Sequence, residues 1–143
     1  MNNMVLEHYA NRVGNKRFNV SFRDRLTVVM GDSGTGRTLL WMKLASESAF
    51  RDDIVCFNYT AKVDILHEIK KRSNTLFVFD NADIILTPET KRYIQEDKSN
   101  QYILFGRDTD DLKLAAINIA ELVVIGDEIK LNYFMMPDNK RLD

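Results

Sequence analysis

Residues 26–38 read LTVVMGDSGTGRT, and this stretch decides the fold. Leu26 to Met30 are apolar apart from Thr27, as expected of a strand that is buried on both faces of a sheet. Glycine-rich sequence follows directly, and from Thr38 to Phe50 apolar residues recur at the spacing of a helix. A strand that passes through glycines into a helix predicts an α/β fold with parallel strands.

Further strands and helices alternate around this stretch. Strands are predicted over residues 5–9, 17–22, 54–57, 76–79, 101–105, 121–125 and 128–134, and helices over 38–50, from Thr60 through Val63, Leu66 and Ile69, from Thr87-Pro88, and over 110–119. Gly14-Asn15 and Gly126-Asp127 predict a hairpin near each end of the chain. The order predicts one α/β domain over residues 1–143. We expect a three-layer sandwich with a mostly parallel sheet and antiparallel N- and C-terminal hairpin additions.

The composition is that of an ordinary globular protein. Among 143 residues, 20 Lys and Arg against 21 Asp and Glu leave a formal net charge of −1, which gives no global argument for a nucleic-acid partner. Cys56 is the single cysteine, so a disulfide or a cysteine-based metal site within one chain is excluded. The N-terminus lacks a signal-peptide pattern and no apolar stretch reaches membrane-spanning length, so we expect a cytoplasmic protein without a membrane partner.

The glycine-rich segment fits the phosphate-binding P-loop motif GxxxxGK[ST], except that Arg37 stands where the motif has lysine. In such a loop, backbone N–H groups converge on phosphate oxygens, and the following helix turns its positive end toward them. Thr38 would supply a hydroxyl to Mg²⁺, while Arg37 keeps the lysine's charge but replaces a compact ammonium with a wide planar fork. The candidate nucleotide-binding residues here are Gly31, Asp32, Ser33, Gly34, Thr35, Gly36, Arg37 and Thr38.

A second motif, LFVFDNAD over residues 76–83, is a short apolar strand that ends in Asp80. This is the Walker B pattern, in which a carboxylate at the end of a strand holds Mg²⁺ through water, so Thr38 and Asp80 are the candidate metal ligands. P-loop ATPases with an extra strand beside the P-loop strand usually place a glutamate next, to activate the attacking water. This chain has Asn81, which cannot act as a general base near neutral pH, and Asp83 is the remaining candidate for that role.

A third strand ends in the polar sequence Gly106-Arg107-Asp108. Its position predicts either that Arg107 contacts the γ-phosphate of a bound nucleotide or that Arg107 and Asp108 form an ion pair in a surface turn. The candidate catalytic positions are Asp80, Asn81, Asp83 and Arg107.

With these motifs placed, the chain resembles the nucleotide-binding core of an ABC-type ATPase, within the P-loop NTPases, and more loosely an SMC-type head. RLTVVMGDSGTGRT resembles the Walker A segment, FVFDNADIILTPETKR the Walker B and D-loop region, and ILFGRDTDDLKLAAINIAELVVIGDEIKL the switch-histidine strand with its helix and closing hairpin. The resemblance implies a P-loop NTPase-like fold that binds ATP and Mg²⁺, with Tyr9 on the N-terminal hairpin stacking on the adenine.

The departures from that family concern the residues that break the phosphate bond. Arg37 replaces the Walker A lysine, Asn81 the Walker B glutamate and Arg107 the switch histidine, and the chain lacks the LSGGQ signature and its helical subdomain. Loss of one preorganised group typically costs about two to three orders of magnitude in rate. The sequence therefore favours an ATP-binding protein with weak or no hydrolysis that acts as a nucleotide-dependent regulatory or structural partner, with another protein or as an oligomer.

Two alternatives stay open at this point. The chain could be a small active ATPase or a phosphotransferase, for which Asp64 is the sole candidate for an acceptor-site carboxylate. It could also be an interaction scaffold that binds no nucleotide.

Overall fold

The computed structural model describes residues 4–30, 36–107 and 118–134. Within these ranges the chain forms one mixed, strongly curled sheet with helices packed on it. The eight strands are β1 (His8–Val13), β2 (Lys16–Ser21), β3 (Leu26–Met30), β4 (Ile54–Phe57), β5 (Leu76–Phe79), β6 (Gln101–Gly106), β7 (Ile119–Ile125) and β8 (Glu128–Tyr133). The helices are α1 (Arg37–Ser48), α2 (Ile65–Lys70), α3 (Ala82–Ile85) and α4 (Pro88–Glu96).

The order of the strands across the sheet is β1-β2-β8-β7-β3-β6-β5-β4. From β7 to β4 every neighbour is parallel, whereas β1 with β2 and β7 with β8 form antiparallel hairpins. The two hairpins meet where β2 and β8 pair in parallel, with Arg17 opposite Glu128 and Phe18 opposite Ile129. Strand β3 therefore lies inside the sheet with a parallel partner on each side.

A hydrophobic core lies on each face of the sheet because side chains alternate along a strand. On β5, Leu76 and Val78 belong to one cluster, and Phe77 and Phe79 belong to the other. The helices contribute Leu40 and Leu44 of α1 to the first cluster, and Ile69 of α2, Ala82 of α3 and Ile94 of α4 to the second. Helix α1 thus covers one face, and the other three helices cover the opposite face.

The predicted P-loop-like three-layer sandwich with a mostly parallel sheet is wrong. The sheet is mixed and strongly curled, and strands hold more of the described residues than helices do. The hairpins are not terminal additions to a parallel sheet, because β8 extends the sheet from β7 and joins β1 and β2 to it. Hydrophobic periodicity predicts strands but not their distant partners, and here Arg17 and Glu128 are 111 positions apart.

Helix α2 begins later than predicted. Thr60 is not its N-cap; the cap is Asp64, whose side chain accepts a hydrogen bond from the backbone N–H of His67 at 3.2 Å. The helix therefore begins at Ile65, and Val63, predicted to be buried, is 51% exposed. Thr60 and Asp64 are both residue types that cap helices, and in the structure the cap is the later one, Asp64.

The other element ends agree with the sequence pattern only in part. Thr87 caps α4 and Pro88 is its first residue, as predicted. Strand β1 begins at His8 rather than at residue 5. Of the helix predicted over 110–119, residues 110–117 lie outside the described ranges, and Ile119 is the first residue of β7.

A buried side chain ties the segment before β1 to the middle of the sheet. Gln101, the first residue of β6, is fully buried. Its Oε1 accepts hydrogen bonds from the backbone N–H groups of Val5 and Leu6, and its Nε2 donates to the Leu6 carbonyl, all at 2.8 Å. One amide side chain thus satisfies three backbone groups of a segment that lies outside the strand ladders.

A second polar network lies at the amino end of β6. Asp97 accepts hydrogen bonds from the hydroxyl of Tyr102 at 2.6 Å, from the amide of Asn100 at 2.8 Å and from the hydroxyl of Ser99 at 2.7 Å. Burial alone would raise the pKa of Asp97, but these hydrogen bonds outweigh burial and hold the pKa below its usual value of 3.8. Burial raises the pKa of the Tyr102 hydroxyl, and its hydrogen bond to the Asp97 carboxylate raises it further.

Replacing Gln101 by alanine removes the three bonds to the N-terminal segment. Because a buried polar group without a partner costs about 1–3 kcal/mol, we expect the free energy of unfolding to fall by about 2–4 kcal/mol. Urea denaturation followed by tryptophan fluorescence measures this change. Gln95→Ala, at the chain's other glutamine on α4, is the control and should shift stability by less than about 0.5 kcal/mol. Equal losses in both variants would contradict this role of Gln101.

The Asp97 network makes stability depend on pH in the acid range. Because the folded-state pKa lies below the unfolded value of about 3.9, ionised Asp97 stabilises the fold above about pH 4, and this contribution is lost as the pH falls through the folded pKa. Between about pH 5 and pH 2, wild-type stability should therefore fall more steeply than that of Asp97→Asn, which is less stable than wild type at neutral pH. Urea titrations across this range provide the test, with exposed Asp52→Asn as the control. Parallel curves for wild type and Asp97→Asn would refute the coupling.

Candidate functional site

The carboxyl ends of the five parallel strands lie along one edge of the sheet. After β3 the chain crosses to β4, on the far side of β6 and β5, whereas after β6 it crosses to β7 on the opposite side of β3. The two connections thus leave the neighbouring strands β3 and β6 in opposite directions along the sheet, at the place where Met30 lies opposite Gly106. In open α/β sheets, ligands bind at such a switch point, in the crevice outside the carboxyl ends of the strands. The candidate site is therefore the switch point between β3 and β6.

Helix α1 is the first described element after β3 and begins at Arg37. Gly36, its N-cap, has a left-handed backbone with φ of +95°, which glycine adopts without steric cost. The Gly36 carbonyl accepts the first helical hydrogen bond, from the N–H of Leu40 at 2.9 Å. This N-terminus carries the positive end of the helix dipole. Five predicted ligands lie outside the described residues: Gly31, Asp32, Ser33, Gly34 and Thr35.

The first two residues of α1 differ in burial. The Arg37 side chain is 6% exposed, whereas Thr38 is exposed. A cation in the first turn of a helix opposes the helix dipole, so an anion at this end would be stabilised by both the helix and the guanidinium. Trp41, one turn further, is partly buried and packs against the first core.

Asp80 follows β5 and reaches the same edge of the sheet. Strands β5 and β3 flank β6, so their ends lie about 10 Å apart at the usual strand spacing. The backbone N–H of Asp80 donates to the carbonyl of Phe57 at 2.9 Å, and its Oδ1 accepts from the N–H of Asn81 at 3.1 Å. These bonds hold the carboxylate at the end of the strand.

The magnesium site at Thr38 and Asp80 stays a prediction. Thr38 offers a hydroxyl and Asp80 a carboxylate, and magnesium prefers such oxygen ligands with few of them from the protein. Within residues 4–30, 36–107 and 118–134, no three His, Cys, Asp or Glu side chains group closely enough to hold a metal ion. A magnesium ion here would take its remaining ligands from phosphate and water.

Asn81 has a backbone role at the site. Its φ of +53° and ψ of 45° are left-handed, and it is the N-cap of α3. Its carbonyl accepts hydrogen bonds from the N–H groups of Ile84 at 2.9 Å and Ile85 at 3.1 Å. Asparagine adopts this conformation more readily than most residues, for which it costs about 1–2 kcal/mol. Asparagine at this position thus allows the sharp turn from β5 into α3.

The structure brings Asp83 and Arg107 together. The backbone N–H of Arg107 donates to Asp83 Oδ2 at 3.3 Å, while the Arg107 side chain is exposed. Asp83 Oδ1 is buried and has no hydrogen-bond partner in the described part of the chain. The alternative ion pair of Arg107 with Asp108 involves a residue outside the described ranges. No sequence pattern signals a bond between the Asp83 side chain and this backbone group.

Tyr9 lies apart from these residues in the sheet order, on β1, four strands from β3. Its ring is 6% exposed and packs against Phe18, with ring centroids 6.2 Å apart. Its hydroxyl accepts a hydrogen bond from the Asn11 amide at 2.8 Å, and burial raises the pKa of this hydroxyl. The structure thus places Tyr9 in the core, and stacking on adenine, which would require exposure of the ring, stays a prediction.

Cys56 supplies no nucleophile. It is a free thiol on β4, and burial raises its pKa to about 12, against a smaller opposing effect of a hydrogen bond with Ser48. The thiolate is the reactive form of cysteine, so this thiol stays protonated and unreactive near neutral pH.

Comparisons with protein-family models and with curated proteins give no match to this chain. The relation to ABC-type ATPases therefore stays a prediction that depends on the motifs. Within the described ranges, none of the helices combines the length and the apolar character needed to cross a membrane.

The left-handed backbone at Asn81 predicts which substitutions the turn tolerates. Asn81→Gly should keep the free energy of unfolding within about 0.5 kcal/mol of wild type, whereas Asn81→Ala should lose about 1 kcal/mol. Denaturant unfolding measures both. Asn74, which has the same φ of +53° away from the candidate site, is the matched control and should show the same order of glycine over alanine. Equal stability of the two Asn81 variants would refute a conformational role.

Proposed function

We propose that this protein binds ATP with Mg²⁺ at the switch point, hydrolyses it weakly or not at all, and acts as a nucleotide-dependent regulatory or structural partner of another protein. The observation that carries this proposal is the start of α1, where the chain enters a helix at left-handed Gly36 with buried Arg37 in the first turn. The helix end and the guanidinium add positive potential at one place, which favours a multiply charged anion. The motif GDSGTGRT points to a nucleoside triphosphate as that anion.

In this proposal, Thr38 and Asp80 hold the magnesium ion, which neutralises charge on the phosphates when it is bound. Arg37 presents its planar fork to phosphate oxygens, a geometry that arginine matches with paired hydrogen bonds. These residues bind and orient the nucleotide and need no proton transfer.

Weak hydrolysis follows from the residues near the place of the attacking water. Asn81 has no side-chain atom that accepts a proton near neutral pH, and its backbone conformation accounts for asparagine at this position. The Asp83 carboxylate accepts a hydrogen bond from the backbone N–H of Arg107. In this proposal that bond holds Asp83 in a structural role, and Asp83 does not act as the general base. Loss of general-base catalysis typically removes about two to four orders of magnitude in rate.

The proposed partner is a protein, and the proposed location is the cytoplasm. The free thiol of Cys56 is typical of a reducing compartment. Three exposed apolar side chains lie in segments that follow β4 and β5, at the same sheet edge as the site: Tyr59, Val63 and Ile84. Exposed apolar side chains beside a ligand site are typical of surfaces that contact other proteins.

A phosphotransferase is the second candidate function, because Asp64 lines a cleft of about 550 Å³ between α2 and α4. Its carboxylate caps α2, and Glu89 and Lys70 line the same cleft. A phosphate acceptor could occupy this volume. The probe is a set of nucleoside monophosphates: MgATP-dependent formation of diphosphates that is lost in Asp64→Asn would favour this candidate.

Nucleotide binding is tested by titrating MgATP while following the fluorescence of Trp41, the single tryptophan, with calorimetry as an independent measure. We expect a saturable signal because Trp41 lies one helical turn after Arg37. Arg37→Ala should weaken binding by about 10- to 100-fold, since a hydrogen bond to a charged group contributes about 1.5–3 kcal/mol. Arg37→Lys should bind as well as wild type or more tightly.

Exposed Arg92→Ala on α4 is the matched control and should bind like wild type. No binding at millimolar MgATP would overturn the proposal and favour the interaction scaffold. Binding accompanied by steady phosphate release that Asp80→Ala abolishes would favour an active ATPase.

A further inference from the structure

The bond between Asp83 and the backbone of Arg107 joins two segments at the carboxyl edge, the turn after β5 and the end of β6. We infer that Asp83 is a positioning residue that holds Arg107 where its guanidinium contacts the terminal phosphate, so that the protein distinguishes ATP from ADP. This inference rests on the proposed function and adds to it the residue pair, Asp83 and Arg107, that makes binding of ATP tighter than binding of ADP.

The position of Arg107 relative to α1 follows from the strand register. Gly106, the last residue of β6, lies opposite Met30, the last residue of β3 before the chain leads to α1. Arg107 is therefore the first residue beyond the ladder, next to Gly106, which lies one strand spacing of about 4.8 Å from Met30. Its exposed guanidinium is a second cation at this edge beside that of Arg37.

The backbone of Arg107 depends on Asp83 for its position. The paired residues of β6 end at Gly106 on the β3 side and at Leu104 on the β5 side, so neither neighbouring strand holds Arg107. Asp83 Oδ2 instead accepts the Arg107 N–H at 3.3 Å. A hydrogen bond to an ionised acceptor is about twice as strong as one between neutral groups. The contact fixes the backbone from which the exposed guanidinium extends.

The segment that follows β5 contains both the proposed magnesium ligand and the acceptor for the Arg107 N–H. Asp80, the proposed magnesium ligand, is followed by left-handed Asn81 and then by Asp83 in the first turn of α3. The buried Asp83 Oδ1 has no hydrogen-bond partner among the residues described, which costs stability. In native structures such groups are rare, and a catalytic role or an ordered water or ion is among their explanations. The turn therefore links the metal-binding end of β5 to the cation at the end of β6.

The test compares the dissociation constants for MgATP and MgADP, measured by Trp41 fluorescence, in wild type, Asp83→Ala and Asp83→Asn. Wild type should bind MgATP more tightly than MgADP. Asp83→Ala should reduce this preference about tenfold while changing the MgADP constant by less than about twofold. Asp83→Asn keeps an oxygen that accepts from the Arg107 N–H and should retain most of the preference.

A double-mutant cycle shows whether Asp83 acts through Arg107. Arg107→Ala should lower the preference for MgATP to the same level, and Asp83→Ala combined with Arg107→Ala should lower it no further. Equal weakening of MgATP and MgADP by Asp83→Ala would assign Asp83 a structural role, and an unchanged preference would assign it none; either result overturns the inference. Wild type that binds both nucleotides equally overturns the inference alone, whereas wild type that binds neither overturns the proposed function as well.

Discussion

Strand β3 is hydrogen-bonded in parallel on both sides, by β6 and by β7, and is buried on both faces. Buried backbone N–H and C=O groups must be paired, so this strand is stable only inside a sheet. Parallel neighbours in turn require crossover connections, which place α1 on one face and α2, α3 and α4 on the other. The carboxyl ends of β3, β5 and β6 are thereby gathered at one edge. The position of the candidate site is a consequence of satisfying the backbone of one strand.

The local features of the fold could be predicted from the sequence because local chemistry determines them. Leu26–Met30, apolar except for Thr27, and Leu76–Phe79, an unbroken apolar run, are strands β3 and β5. Thr87 and Pro88 begin α4 because one supplies a capping oxygen and the other fits the first turn. For the same reason the placement of Asp80 at the end of a strand could be predicted.

The features that could not be predicted depend on contacts between distant segments. The curled, mixed sheet results from the pairing of β2 with β8, which no periodicity encodes. The start of α2 depends on which of two capping residues suits the packed helix, and Asp64 prevails over Thr60. The bond between Asp83 and the Arg107 N–H joins a side chain to a backbone group 24 positions away. The left-handed backbone at Asn81 could not be predicted either. From its position after the Walker B strand, the sequence predicts only that Asn81 cannot act as a general base.

The pairing of β2 with β8 also bears on how the protein is made. A two-stranded hairpin alone in water is marginally stable, and the sheet neighbour of β2 is synthesised more than a hundred residues later. Phe18 and Val20, both buried in the finished sheet, are therefore uncovered while most of the chain leaves the ribosome. Closing so long a loop adds to the entropic cost of folding and slows it. The β1–β2 hairpin is thus among the last of the described elements to reach its final place in the sheet.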